Sequence, residues 1–502
     1  MRHGSPDLPA PAPEEGSGFM TTTTHDAIIL GTGQAGPALA ARLVKAGMKV
    51  AVAERGRFGG TCVNTGCTPT TTRVASAYAA RLARRAADYG VTLGGGGEPC
   101  TVGVDMRRVK ARKDAIVEKA SHGIRNSLTG LDGCTVITGH ARFTAPGEVA
   151  VGDQRLRAER IFINVGGRAV VPDIPGLAEV PFLTNSSLMD CEVLPRHLVI
   201  VGGSYIGLEI GQMYRRFGSE VTIVEKGDRL IAREDPDVSD AIREILEGEG
   251  VRVRLNADCI RVARHGDGIE VGVDCPGGAA AAPETPATPK TPVTPETPAI
   301  NGSHLLLAVG RRPNTDDLGL DAAGIRHDRR GFIEVDDQLR TNVPGIWALG
   351  DCNGRGAFTH TSYNDFEIVA ANLLDHDPRR DSDRIPTYGL FIDPPLGRAG
   401  MTEAEVRRSG RPALVAVRPM TKVSRAIEKG ETQGFMKILV AADTREILGA
   451  AILGTGGDEA VHCVLDLMYA RAPYTVLQRA VHIHPTVSEL LPTLLGDLKP
   501  LA

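Results

Sequence analysis

The chain has 502 residues, 42% apolar and 24% charged, with 57 basic side chains against 61 acidic ones and a formal net charge of -4. That length exceeds what one hydrophobic core supports and predicts several domains. The balanced charge argues against a nucleic-acid partner, 4% aromatics with a single Trp argue against base stacking, and no stretch is long and apolar enough to span a bilayer.

Residues 1–24 are rich in Pro, Gly, Ser and Thr and hold no apolar run, so they read as a flexible tail without signal peptide or anchor, with Met20 as an alternative start. Asp26 to Leu30 then reads as a buried strand. Gly31, Gly33 and Gly36 follow, then a helical stretch from Pro37 to Ala46 closed by Gly47, and a second strand from Lys49 to Ala53 with Glu54 at its tip. A dinucleotide pyrophosphate needs close backbone approach and a helix N-terminus aimed at it, while an acidic residue on the next strand holds a ribose hydroxyl. This unit meets each condition.

The next motif is Gly59-Gly60-Thr61-Cys62-Val63-Asn64-Thr65-Gly66-Cys67-Thr68-Pro69. Pro69 suits the first position of a helix with Thr68 as its cap, which places Cys67 beside a positive helix end that lowers a thiol pKa. Four intervening residues let Cys62 and Cys67 approach and bridge. A zinc half-site and two structural thiols are the rival readings; no second Cys pair or nearby His completes a zinc site. The other cysteines are scattered, and the total of nine is odd, which suggests reduced thiols in a reducing, cytoplasmic compartment.

A second unit repeats the layout: a strand His197 to Val201, a turn Gly202 to Gly207, a helix Tyr205 to Phe217 ended by Gly218, and a strand Val221 to Val224 with Glu225 at its tip. Ser204 replaces the middle glycine, and a packing turn of Rossmann shape remains the alternative here. Glu225 would accept from a free 2′-hydroxyl and repel a 2′-phosphate, which favours NADH, while Lys226 and Arg229 keep NADPH open. Residues 284–298 carry Thr-Pro at every third position and read as a solvated polyproline insertion. Beyond Asp381, strands at Phe435 to Val440 and Ile447 to Leu453 and a helix at Glu459 to Tyr469 suggest a separate α+β domain.

The cysteine segment resembles the redox-active segment of the pyridine nucleotide-disulfide oxidoreductases: glutathione reductase, dihydrolipoamide dehydrogenase and mercuric reductase. Val199 to Glu209, Ala308 to Asn314 with Gly310, and Thr341 to Asp351 carry the similarity further, and it covers nearly everything after His25. The resemblance implies an α/β fold with two Rossmann-like domains for FAD and NAD(P) and a C-terminal α+β dimerisation domain. Its divisions would be a tail at 1–24, an FAD-binding domain at 25–170 and 310–380, an NAD(P)-binding domain at 171–309 with the insertion at 276–299, and a dimerisation domain at 381–502. It implies an enzyme passing electrons from NADH through FAD to the Cys62–Cys67 disulfide, with Cys67 as the thiolate against the flavin and Cys62 as the more exposed, exchanging sulfur. Gly31, Gly33, Gly36, Glu54, Gly60, Thr61 and Asp351 would hold FAD, the last through its ribityl chain; Gly202, Gly207, Glu209, Glu225 and Gly310 would serve the nicotinamide side.

His484 is followed five positions later by Glu489, a base-and-orienter spacing. In the family the matching pair reaches the other subunit's disulfide, which implies a homodimer with shared sites. One departure stands out: the family has a Lys four positions after the second redox Cys, paired with the Glu matching Glu209, and Thr71 stands here. Arg73 should face elsewhere on the helix. Missing that cation, hydride entry is expected to be slow. The C-terminus lacks the Cys pair of mercuric reductases, so a disulfide acceptor fits better than Hg(II). Dihydrolipoamide oxidation is the alternative, and a redox-sensing flavoprotein with poor turnover is the non-enzymatic one.

Overall fold

The computed structural model describes residues 21–93, 102–273 and 299–501. The first twenty residues and nearly all of the Pro/Thr-rich insertion lie outside them.

Three sheets organise the chain. The first is built on β1 (Thr21–Leu30), which pairs in parallel with β2 (Val50–Glu54) on one side and with Gln154–Ile163 on the other. β1 begins at Thr21, inside the segment expected to be tail. Thr21 to Thr24 are β-branched and find ladder partners in Gln154 to Arg157, so the strand runs on beyond its apolar half. Between β1 and β2 runs α1 (Ala35–Lys45), which buries Ala35, Gly36, Leu39, Ala40 and Leu43 at helical spacing against the sheet. After β2 come α2 (Gly60–Asn64), α3 (Cys67–Arg84) and α4 (Met106–Thr129), the last capped by the Asp105 carboxylate on the N–H groups of Arg107 and Arg108. Much later in the chain, Ile346–Ala348 returns to pair in parallel with Ile161–Ile163, which brings the segment before Asp351 back to the first sheet.

The second sheet is all parallel, in the order Arg252–Arg254, Glu220–Val224, His197–Val201, His304–Leu307. Its crossovers are α5 (Tyr205–Phe217) and α6 (Pro236–Gly248). The third sheet is antiparallel throughout and runs Thr387–Leu390, Leu396–Gly400, Ile447–Leu453, Phe435–Ala441, Ala413–Pro419, Lys499–Pro500. α7 (Thr359–Ala370) precedes it and packs on α1. The α/β class and its α+β C-terminal part are therefore as the sequence indicates.

Buried ion pairs join the second unit to the third. Arg398 lies 2.9 Å from Glu234 and 3.3 Å from Asp235, and Lys437 Nζ lies 2.8 Å from Asp237, 3.1 Å from Glu403 and 3.2 Å from Asp235. Both cations are 1% exposed, so this network holds the start of α6 against the antiparallel sheet. The expectation of reduced thiols throughout fails at Cys259, which is disulfide-bonded. Among the described residues no helix is long and apolar enough to cross a membrane.

Candidate active site

The two β-α-β units share their hydrogen bonds as well as their spacing. In the first, the Glu54 carboxylate accepts from Thr32 N (2.9 Å), Thr32 Oγ1 (2.6 Å) and Gly56 N (2.8 Å). In the second, Glu225 accepts from Gly203 N (2.6 Å) and Gly227 N (2.7 Å). Each acidic residue thus ties the glycine turn to the strand tip. No side chain caps α1 or α5, which leaves their N-terminal ends to face an anion, although in α1 Gly36 N donates to Gly33 O and Pro37 has no N–H. Glycine is required at the turns on steric grounds. Gly31 has φ +100°, a Cβ there would sit 2.4 Å from Asn164 O, and one on Gly36 would sit 2.5 Å from Gly31 O. At Gly202 and Gly207 the distances are 2.3 Å to Ala308 O and 2.0 Å to Gly202 O. Two backbone cradles of dinucleotide shape result, and Ser204 does not disturb the second.

A cleft of about 1230 Å³ runs between the three units. It is lined by Gly31, Gly33, Glu54, Gly60, Thr61, Cys62, Cys67, Glu209, Gly310 and Asp351, among others. Gly36, Gly202, Gly207 and Glu225 do not line it; from the second unit Ser204, Tyr205 and Ile206 do. Asp351 is raised by burial against the opposing pull of Arg311, whose Nε lies 3.6 Å away.

Cys62 sits on α2 and Cys67 opens α3, both as thiols. The helix starts two residues earlier than expected. Thr70 N bonds to Gly66 O at 3.0 Å, so Gly66 rather than Thr68 flanks the first turn, and no side chain caps it. Cys67 therefore lies within the positive helix end instead of before it. The Cys62 thiol donates to the Cys67 sulfur, the largest cause lowering Cys67 to about 6, and the same bond pushes Cys62 up. Thr359 Oγ1, at the start of α7, lies 3.2 Å from Cys67 Sγ and adds to the lowering. The first turn of α3 and the side chain that opens α7 thus meet at one sulfur. Cys67 is the more exposed of the pair, contrary to expectation, and Cys62 is half-buried. Both sulfurs line the cleft.

Thr71 Oγ1 turns back to Cys67 O at 2.8 Å. Arg73 is fully buried and donates to the carbonyls of Leu188, Met189 and Cys191 and to Tyr214 Oη, so it faces away as expected. Glu209 has no cation within ion-pair distance among the described residues; its carboxylate accepts from Phe391 N at 2.9 Å. Burial raises Glu209 to about 7, that bond opposes the rise, and the charge of Cys67 adds to it. His484 Nδ1 meets Glu489 Oε2 at 2.9 Å on an exposed segment where Val481 is 100% exposed. This pair does not line the cleft of its own chain.

Sequence reasoning missed Asn164, Arg311 and Thr359. Asn164 is 5% exposed and its amide reaches Gly31 O (3.4 Å) and Gly33 O (3.2 Å), so it props the first glycine loop. Its position just past the strand Gln154–Ile163 was the available signal. Thr359 lies 292 residues from Cys67 and no local pattern marks it.

Residues 25–365 match the family described as pyridine nucleotide-disulphide oxidoreductase, and residues 386–495 match that family's dimerisation domain. The chain belongs to this family and is a flavin- and pyridine nucleotide-dependent oxidoreductase acting on sulfur groups. It is 35% identical over 484 residues to the probable pyridine nucleotide-disulfide oxidoreductase RclA of Escherichia coli, covering 95% of this chain and 99% of that protein. Similar relatives include a mercuric reductase of Streptomyces lividans, 31% identical over 93% of this chain and 95% of the relative. A dihydrolipoyl dehydrogenase of Cupriavidus necator is 30% identical over 93% of this chain and 96% of the relative. The solved structure of the HOCl-induced flavoprotein disulfide reductase RclA superimposes with a TM-score of 0.82 at 34% identity, over 94% of this chain and 99% of that one. The glycine cradle beside Asn164, with Glu54 and Asp351 along one continuous cleft, fits the FAD that the family binds.

Proposed function

We propose that this chain is an NADH:disulfide oxidoreductase in which Cys62 and Cys67 form the working dithiol. The observation that carries the reading is the thiol pair Cys62 and Cys67, with Thr359 Oγ1 3.2 Å from Cys67 Sγ, in a cleft that also contains the first dinucleotide cradle. Flavin bound in this cleft would supply two-electron transfer between the nicotinamide and the disulfide. Gly31, Gly33, Gly36, Glu54, Gly60, Thr61 and Asp351 hold it. Gly202, Gly207, Glu225 and Gly310 receive the nicotinamide dinucleotide, and the Glu225 carboxylate selects NADH by accepting from a free ribose hydroxyl and repelling a phosphate.

Cys67 keeps its negative charge through the Cys62 thiol, Thr359 and the N-terminal end of α3. Cys62 keeps its proton until a base removes it and then attacks the acceptor. His484, oriented by Glu489, supplies that base from the second subunit of a homodimer, because the pair lies on an exposed segment away from its own chain's cleft. The acceptor is a small disulfide. Dihydrolipoamide, oxidised with NAD, is the alternative that the relatives and Glu225 keep in view. One observation favours a further acceptor: a solved structure of the E. coli relative is a Cu(II) complex. A reduced dithiol is a soft ligand pair able to give one electron to each of two such ions.

Stopped-flow separation of the half-reactions tests this reading in the His484→Ala variant. Flavin reduction by NADH is expected to be unchanged, while turnover with lipoamide or oxidised glutathione falls by about 10²-fold or more. Turnover of both at the wild-type rate would refute the role of His484. Cu(II) turnover that survives the loss of disulfide turnover would instead select the metal acceptor.

A further inference from the structure

Glu209, Gln212 and Arg216 lie on one face of α5 and all grip the loop Phe391–Asp393. Phe391 N donates to Glu209 (2.9 Å), Asp393 N to Gln212 (2.7 Å), Gln212 Nε2 to Asp393 O (2.8 Å), and Arg216 pairs with the Asp393 carboxylate at 2.7 Å. Among the described residues Glu209 is thereby fixed at the cleft wall by a single bond, without a countercharge. The neighbouring charges are all otherwise engaged. Arg216, on Glu209's own helix, holds Glu249 and Asp393. Arg73, on α3, holds three carbonyls and Tyr214. Asp393, on the loop, is paired with Arg216. Cys67, on α3, is the titratable group whose charge reaches Glu209, and it is of the same sign.

A thiolate and a carboxylate facing one low-dielectric wall cannot both stay charged cheaply. With a lysine at position 71 a cation would offset them; Thr71 instead closes on Cys67 O. We propose that Glu209 replaces the missing cation by taking up a proton when the dithiol forms, so that this chain couples each reduction to a second proton. This rests on the dithiol reading above. A hydride's electron pair from NADH, passed through the flavin, breaks the Cys62–Cys67 bond. The proton carried within the hydride balances the one that Cys62 gains, the pair's negative charge stays on Cys67, and one further proton, from solvent, goes to Glu209. Burial of Glu209 supports this, since it raises the carboxyl to about 7. The Phe391 bond works against the proton, but an amide or a protonated carboxyl still presents an oxygen to Phe391 N.

The test is an NADH-reduced minus oxidised infrared difference spectrum of the holoenzyme near pH 7, read together with proton uptake by an indicator dye. The carbonyl stretch of a protonated carboxyl is expected to appear on reduction in wild type and to vanish in Glu209→Gln, which keeps the acceptor for Phe391 N. Proton uptake from solvent should fall in that variant from one toward zero per dithiol, because the hydride already balances the proton on Cys62. Thr71→Lys should also abolish the band by restoring a cation. A wild-type spectrum without the band, a band that persists in either variant, or equal uptake in wild type and Glu209→Gln would overturn the proposal. If NADH fails to raise the count of free thiols at all, the dithiol reading falls with it.

Discussion

The charge on Cys67 can be taken apart bond by bond. Cys67 is lowered from the ordinary 9.0 to about 6, which favours its thiolate over that of a free thiol. Burial opposes that shift, so the favourable contacts sum to more. The Cys62 thiol is the largest of them and the Thr359 hydroxyl, 3.2 Å away, comes next. A hydrogen bond to a charged acceptor contributes about 1.5–3 kcal/mol, or about one to two pKa units. Thr359→Val keeps the shape and removes the donor, so Cys67 should rise by about one unit; Cys62→Ala should raise it by about one to two. Neither should restore an ordinary thiol, because the N-terminus of α3 remains, contributing about 0.3–1 kcal/mol. The assay is the rate of iodoacetamide alkylation of the reduced protein against pH, with the labelled cysteine mapped by mass spectrometry. Below the midpoint Cys67 is protonated and unreactive; above it the rate levels off. Thr359→Val with an unmoved midpoint would refute the account of how the sulfur is charged.

Three other outcomes follow from the same geometry. Gly36→Ala places a methyl 2.5 Å from Gly31 O and should give protein purified without its yellow flavin; full FAD occupancy would contradict the cradle. Glu225→Ala should lower kcat/KM for NADH by about tenfold or more and narrow the gap to NADPH, and an unchanged ratio of the two would remove Glu225 as the selector. Lys437→Met leaves Asp235, Asp237 and Glu403 without their shared cation and should destabilise the chain by about 3–5 kcal/mol in a denaturant titration, with a loss below about 1 kcal/mol refuting the clamp between the second and third units.

Much of this was legible beforehand because it is local. A strand, a glycine turn and a helix signal one another within a few residues, and the strand His197–Val201 and helix α5 fall where the pattern puts them. The first turn of α3 was misplaced because Thr68-Pro69 is a strong start signal, while Gly66 can open the helix without one. Thr359, Arg311 and the grip of α5 on Phe391–Asp393 could not be read, since each joins segments far apart in sequence. Thr71 was visible as a departure, but what Glu209 does instead needed the structure: its bond to Phe391 N has no counterpart in local pattern.

The central claim is that Cys67 faces a bound flavin as a thiolate once NADH has delivered an electron pair. Anaerobic titration of the purified holoenzyme with NADH, with the absorption spectrum recorded at each addition, examines it directly. A long-wavelength band that grows to one electron pair per subunit, fades as pH falls below about 6, and is missing in Cys67→Ser is the predicted result. A band that survives in Cys67→Ser, or none in the wild-type protein, would contradict it.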